Sequence, residues 1–434
     1  MPYSLGIYTL GCKVNQYESE AIAEAAQTVG FVLQSPTLPC DVYVINTCTV
    51  TAESDRKSRQ FIRRVLCENP EAKVIVTGCL SQVASDSVAS IKGVDFICGS
   101  RDKLKVVDAA QSLVGKPKTS TPVISVGDVN NCEFEAMKIT HFPRTRAYIK
   151  IEDGCQSHCT YCIIPKARGK ICSKPKQDIM LELEALADAG CREVVLTGIE
   201  TASYGIDLEN YRLADLLCDV EEITKGRMRV RLGSLDPSLI KPNFVEKIAK
   251  LSSLAPHFHL SMQSGCNKTL ARMKRKYNTE TALAGIELLR SSIRDVQFTT
   301  DIITGFPGET DEDFKTTVAF MDEVGFVDAH IFTYSRRTGT PAADMTDQVP
   351  RDIAKARTNE LISRQKEITA RILAAEYGKT YSVLFETDEN GYSVGHTPSF
   401  IEVRVKSERP IHSELHSVKL DDAENGIVNG TLLD

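Results

Sequence analysis

No apolar run in these 434 residues approaches the roughly 20 residues a helix needs to cross a bilayer. The N-terminus, MPYSLGIYTLGC, lacks a basic segment followed by an apolar one, so no secretory signal is expected. No solenoid-type repeat and no low-complexity tract interrupts the chain. Positive charge is also short: 52 Lys and Arg against 58 Asp and Glu leave a net charge of −6. A field of that sign repels phosphate, so nucleic acid binds only through local basic patches. These deficits predict a cytoplasmic protein with no membrane partner. Its 14 cysteines then sit in a reducing compartment, where clustered thiols read as metal ligands or catalysts rather than disulfides. The length predicts two or three domains, and 42% hydrophobic with 25% charged residues is ordinary for a globular chain.

What is present falls into an α/β pattern. "LGIYTL" (5–10), "DVYVIN" (41–46) and "KVIVTG" (73–78) read as buried strands, with helices over Ser19–Gln27 and Glu53–Leu66 between them. That alternation predicts a parallel βαβ sheet domain over residues 1–115. A stretch rich in Pro, Ser, Thr, Gly and Asn, about 115–132, reads as a linker, assigned here to 116–140. A second alternation follows over 141–376, with strands at 147–151, 193–198, 229–234, 257–263, 297–305 and 328–335. Helical patterns lie between them, for instance Asp178–Ala189, Pro242–Leu251, Thr279–Leu289 and Asp311–Val324. Six such units predict a partial (β/α)6 barrel with its active site at the carboxyl ends of the strands. After a polar helix (about 352–376), residues 377–434 alternate strand and turn residues, as a small antiparallel β-barrel does.

Three cysteines, Cys155, Cys159 and Cys162, stand in "DGCQSHCTYCIIPKARG" on a loop after the first barrel strand. A zinc knuckle completed by His158 or a distant residue is one reading. The intervals do not pair as CxxC…CxxC, however, and the loop lies at the catalytic end of a barrel. A four-iron cluster held by three thiolates keeps one iron open for a substrate or cofactor. A second triad sits in the first domain: Cys12, Cys48 and Cys79 each follow a parallel strand, whose loops share one edge. Any one of them alone reads as a buried small hydrophobe; three at equivalent strand ends do not. Cys40, Cys67, Cys98, Cys191 and Cys218 lack such placement and are assigned to packing.

CxxxCxxC resembles the signature of the radical S-adenosylmethionine enzymes. The resemblance implies that the open iron chelates S-adenosylmethionine and that one electron cleaves it to a 5′-deoxyadenosyl radical. Gly198, Gly305 and Pro307, in "LTGIETASYG" and "TTDIITGFPGET", are then expected to let backbone approach the cofactor. Glu200 is expected to hold its methionyl amino group, with Ser234, Gln263 and Asp301 completing the cofactor wall.

Both triads together resemble the methylthiotransferase family over essentially the whole chain, with the C-terminal barrel resembling a TRAM domain. The resemblance implies two 4Fe-4S clusters per chain, the second carrying or accepting sulfur. It further implies a tRNA anticodon loop as partner, a sulfur donor, and an electron donor such as flavodoxin or ferredoxin. "TLGCKVNQYESE", "INTCTVT" and "YSRRTGTPAA" resemble the branch that methylthiolates C2 of N6-threonylcarbamoyladenosine at tRNA position 37. The isopentenyladenosine branch more often has Pro where Thr338 stands and Arg where Thr51 stands; a third branch modifies a ribosomal-protein aspartate. "LSMQSG", with Ser261, and "GSLDP", with Asp236, depart from the family's Pro-Leu-Gln-Ser-Gly and Glu. A zinc-binding RNA protein without catalysis is the rival from another class.

RNA contacts are expected from "ARMKRKY", with Arg272, Lys274, Arg275 and Lys276, and from Arg336 and Arg337 after the sixth barrel strand. "DRKSRQFIRR" places Arg56, Gln60 and Arg63 near one helical face. Residues 379–434 hold 5 basic and 10 acidic residues, so RNA contact there rests on Arg404, Lys406 and Arg409.

Overall fold

The computed structural model describes residues 2–130 and 133–433. Six parallel strands form the N-terminal sheet, in the order Val32–Gln34, Ser4–Thr9, Val42–Thr47, Lys73–Gly78, Phe96–Cys98, Val123–Ser125. The two central strands, VYVINT and KVIVTG, are buried throughout, as strands covered on both faces by helices must be. Registers pair Thr9 with Asn46 and Thr47 with Gly78, so three strand ends come level on one edge.

The stretch expected as linker is in part structural. Val123–Ser125 adds the sixth strand, pairing Phe96 with Val123. Its three residues are too few to show periodicity, and Val123 and Ile124 stay exposed at the sheet edge. Positions 131 and 132 of that stretch lie outside the described residues.

The six expected barrel strands are Ala147–Lys150, Glu193–Thr197, Arg229–Leu232, His257–Gln263, Gln297–Thr304 and Asp328–Thr333. They form two three-stranded parallel sheets, linked among the described residues by the bridges Val230↔Leu254 and Leu235↔Leu260. The helix Asp311–Val324 begins at a capping box, Thr310 with Asp313, and ends at left-handed Gly325, as its sequence signals. One apolar core runs from Leu5, Tyr17 and Ile22 of the first domain into Ile149, Leu196 and Phe258 of the barrel.

The C-terminal strands close a five-stranded barrel: Thr380–Glu389, Tyr392–His396, Glu402–Lys406, Ile427–Leu432, Leu415–Glu424. It is not wholly antiparallel. Glu402–Lys406 pairs in parallel with Ile427–Leu432, because a closed ring with an odd number of strands cannot alternate direction throughout. This barrel docks on the floor of the larger one through Glu193, whose carboxylate takes Arg229 at 3.0 Å, Arg231 at 2.9 Å and Arg146. Arg146 continues to Glu386 at 2.7 Å, and Arg231 to the carbonyl of Pro398 at 3.1 Å. Phe400 stacks between His257 and His396, with ring centroids 4.6 Å from each. No described helix is long and apolar enough to cross a membrane.

Candidate functional site

The N-terminal triad forms where the level strand ends turn into helices. Cys12 is the N-cap of the helix Lys13–Thr28, and Cys79 opens the helix Cys79–Val83. Cys48 follows Val42–Thr47 in the loop between them, buried like Cys79. Cys12 and Cys79 both act electrostatically on the Cys48 thiol, which burial pushes up to about 11. Cys12 is the exposed member of the set, yet desolvation by the surrounding protein pushes its thiol up as well.

The second triad begins where the strand Glu152–Asp153 ends. Burial pushes Cys155 up to about 11 and Cys162 up to about 12. Loading either triad with metal therefore releases protons. Cys159 is buried, and its sulfur accepts a hydrogen bond from Nη1 of Arg275 at 3.1 Å.

Glycine sets the approach to both triads. Gly78 and Gly154 stand immediately before Cys79 and Cys155, with φ of +102° and +89°. A Cβ at Gly154 would lie 2.0 Å from the carbonyl oxygen of Lys170. Gly154→Ala is therefore expected to displace Cys155 and to halve the iron bound after anaerobic reconstitution, with a destabilisation above about 1 kcal/mol. Iron analysis and a melting curve check it; full iron at an unchanged melting temperature would refute it.

The expected cofactor residues divide into two sets. Glu200 lies near enough to Cys155 to act on its charge, and burial, then the Asp236 carboxylate, push Glu200 up to about 7. Ser234 is exposed at a strand end; Gln263 is buried at φ +63°, beyond a register shift in its strand. Asp301, on the strand Gln297–Thr304, lies 3.3 Å from His259. Gly198 and Gly305 also have a packing reason to be glycine: a Cβ at Gly198 would meet Glu152 Oε2 at 2.6 Å, and one at Gly305 would meet the Ala354 Cβ at 2.3 Å. The Pro307 carbonyl accepts from Arg272 Nε at 2.9 Å.

The expected RNA contacts need correction at two residues. Arg275 turns inward to Cys159, to Asp236 at 2.9 Å and to the Ser261 carbonyl at 3.1 Å, which removes it from any RNA surface. Arg337 is buried too, donating to Thr49 at 2.5 Å and Asp55 at 3.0 Å in the first domain. Arg272 pairs with Asp347 at 2.5 Å. Lys274, Lys276 and Arg336 are exposed, as are Arg56, Arg63 and Arg64 on the helix Ala52–Glu68. In the small barrel, Arg404 pairs with Glu424 and Arg409 with Glu414, so their charge is already engaged.

Sequence reasoning missed the two guanidiniums aimed at sulfur. Arg168, within the quoted cysteine stretch, donates through Nε to Cys79 at 3.2 Å. Arg275 lay hidden in a basic run. Each triad thus has one thiol that accepts from a buried cation, which suits a thiolate-ligated cluster, an anionic group. Within each triad the thiols lie near enough to act on one another's charge, so the donor set fits a thiolate-ligated cluster in both domains.

The sequence profile of the Radical SAM superfamily matches residues 149–321, and that of Uncharacterized protein family UPF0004 matches residues 4–99. The threonylcarbamoyladenosine tRNA methylthiotransferase MtaB of Bacillus subtilis is 36% identical over 429 residues, covering 96% of this chain and 93% of its own length. Its Thermotoga maritima namesake is 37% identical over 426 residues, covering 98% and 96%. The tRNA-2-methylthio-N(6)-dimethylallyladenosine synthase of Carboxydothermus hydrogenoformans is 36% identical over 394 residues, covering 88% and 89%. Among solved structures, the radical S-adenosylmethionine methyltransferase TsrM of Kitasatospora setae overlays with a TM-score of 0.58 at 12% identity, over 85% of this chain and 89% of that one. That last likeness is one of fold.

Proposed function

This chain belongs to the radical S-adenosylmethionine tRNA methylthiotransferase family, and from that premise we propose that it methylthiolates C2 of N6-threonylcarbamoyladenosine at position 37 of tRNA. Family membership brings a 4Fe-4S cluster and S-adenosylmethionine. The observation that carries the reading is the pair of thiol triads, each with a guanidinium on one sulfur, tied together by Arg168. We assign a cluster to each. When bound, the barrel cluster supplies the electron that generates a radical able to take hydrogen from an unactivated carbon, and the N-terminal cluster supplies the sulfur.

The chain's own residues prepare that chemistry. Arg275, fixed by Asp236 and by Tyr277 at 3.1 Å, orients Cys159 and adds positive charge beside it. Glu200, partly buried at the barrel mouth and close to Cys155, is suited to take the amino group of the cofactor. Arg337 pins the loop after Cys48 to the end of the sixth barrel strand, which keeps the two sites in register. A one-electron donor such as flavodoxin or ferredoxin, and a sulfur donor, complete the stoichiometry.

The threonylcarbamoyl substrate rests on the two MtaB relatives and on the TLGCKVNQYESE and YSRRTGTPAA segments. Mass spectrometry of tRNA nucleosides, from cells with and without the gene, tests it. Loss of the 2-methylthio derivative of threonylcarbamoyladenosine is expected. Loss of the isopentenyladenosine derivative instead would move the enzyme to the other branch.

tRNA docking is assigned to Lys274, Lys276 and Arg336 at the barrel mouth and to the basic face of Ala52–Glu68. Each phosphate neutralised adds roughly 0.7–0.9 to the slope of log affinity against log salt. Changing Lys274 and Lys276 to Ala is expected to lower that slope by about 1 to 2 while leaving S-adenosylmethionine cleavage without RNA intact. An unchanged slope in a salt titration would move docking to Arg56, Arg63 and Arg64.

A further inference from the structure

Arg168 has no solvent exposure, and its partners come from both domains. It ends the short helix Ile164–Arg168, six residues beyond Cys162, yet it crosses to the first domain. Nη1 donates to Glu18 at 2.5 Å and Asp153 at 3.2 Å; Nη2 donates to Asn15 at 2.6 Å and Glu18 at 3.1 Å. Nε is then left for the Cys79 sulfur at 3.2 Å. Five contacts match the five N–H donors of a guanidinium, so its orientation is fully determined. Lys150 reaches Glu18 at 2.9 Å, Lys103 also reaches Glu18, and Arg101 comes within 3.8 Å of Asp153. Four cations, Arg168, Lys150, Lys103 and Arg101, thus surround Glu18 and Asp153, with Glu135 and Glu152 acting from the margin.

We propose that Arg168 is a positioning residue of the N-terminal site: delivered by the radical loop, its Nε–H bond to Cys79 makes the cluster held there easier to reduce. A hydrogen bond and a positive charge at a ligating sulfur both favour the more negative, reduced state of a cluster. The two sites are thereby coupled through covalent chain, since the loop that carries Cys155, Cys159 and Cys162 also carries this donor. The inference rests on the assignment of a second cluster made above.

The test uses full-length protein with Cys155, Cys159 and Cys162 changed to Ala, reconstituted anaerobically with iron and sulfide, so that only the N-terminal site is loaded. About four irons per chain are expected in this parent. Arg168→Gln is expected to keep those irons and to raise the oxidised-to-reduced ratio at fixed potential about tenfold, a shift of about 59 mV for a one-electron couple. Redox titration followed by electron paramagnetic resonance reads it. Arg168→Lys, which keeps charge for Glu18 and Asp153 but not the planar Nε donor, should shift the same way by less, and decides the matter if the Gln variant does not fold. A loaded cluster with unchanged potential in both variants overturns the inference alone. Iron lost from both overturns it as well, because Arg168 would then be scaffold. A parent with no cluster overturns the second-cluster reading and the inference with it.

Discussion

Cys159→Ala protein should release no 5′-deoxyadenosine from S-adenosylmethionine under reduction, whereas Cys48→Ala protein should still release it and form no methylthiolated nucleoside. Cys159 is the buried member of the barrel triad and the sulfur that Arg275 addresses. Removing it leaves two thiols for a cluster that the assignment holds by three, and it takes one acceptor from Arg275. Cys48 belongs to the other domain, beside Cys12 and Cys79. Iron should fall from about eight to about four per chain in either variant. Anaerobic assays with chromatography of both products decide the matter. Equal loss of cleavage in two folded variants would mean that the triads are one functional unit, and tightly bound zinc without labile sulfide would remove the redox chemistry altogether.

Glu193→Ala should cost about 3–5 kcal/mol, the range for removing one partner from a buried ion pair. Its carboxylate is fully buried under three arginines, and all three also carry contacts to the C-terminal barrel. Burial works against the charge, yet Arg231 and Arg146 hold the Glu193 carboxyl well below the usual carboxylate range. A depressed carboxyl adds stability above its unfolded value of about 4.3 and loses it as pH falls further. Wild-type protein should therefore weaken as pH drops below about 4, and the variant should weaken less steeply over the same window. Denaturant unfolding at several pH values checks both slope and offset. A variant within about 1 kcal/mol of wild type at neutral pH would show that the arginines find other partners.

Strand positions were legible because parallel strands are buried on both faces. "DVYVIN" and "KVIVTG" read as strands from apolar runs alone, and the structure places them at Val42–Thr47 and Lys73–Gly78. The six cysteines were legible from their intervals and their places after strands. The direction of the basic run was not. Lys274 takes a left-handed φ of +56°, so Arg275 turns inward while Lys274 and Lys276 stay in solvent. Asp236, the carboxylate that holds Arg275, lies 39 residues away, and nothing local announces it. The packing at Gly198 and Gly305 was not legible either, since Glu152 and Ala354 are distant in sequence and only the folded chain brings them near.

The Arg168 crossing also sets an order of events during synthesis. A ribosome extends the chain at about 5–20 residues per second, and domains tend to fold as they emerge. Cys12, Cys48 and Cys79 leave the ribosome well before Lys150, Asp153 and Arg168, on which Glu18 and Cys79 depend. Until those residues arrive, Glu18 has Lys103 as its only cation among the contacts described, and the crevice lacks one wall. The earlier thiols must therefore wait, unfinished, for the later loop. A cluster delivered to the nascent first domain meets a half-built site, and one delivered after the barrel closes meets a complete one.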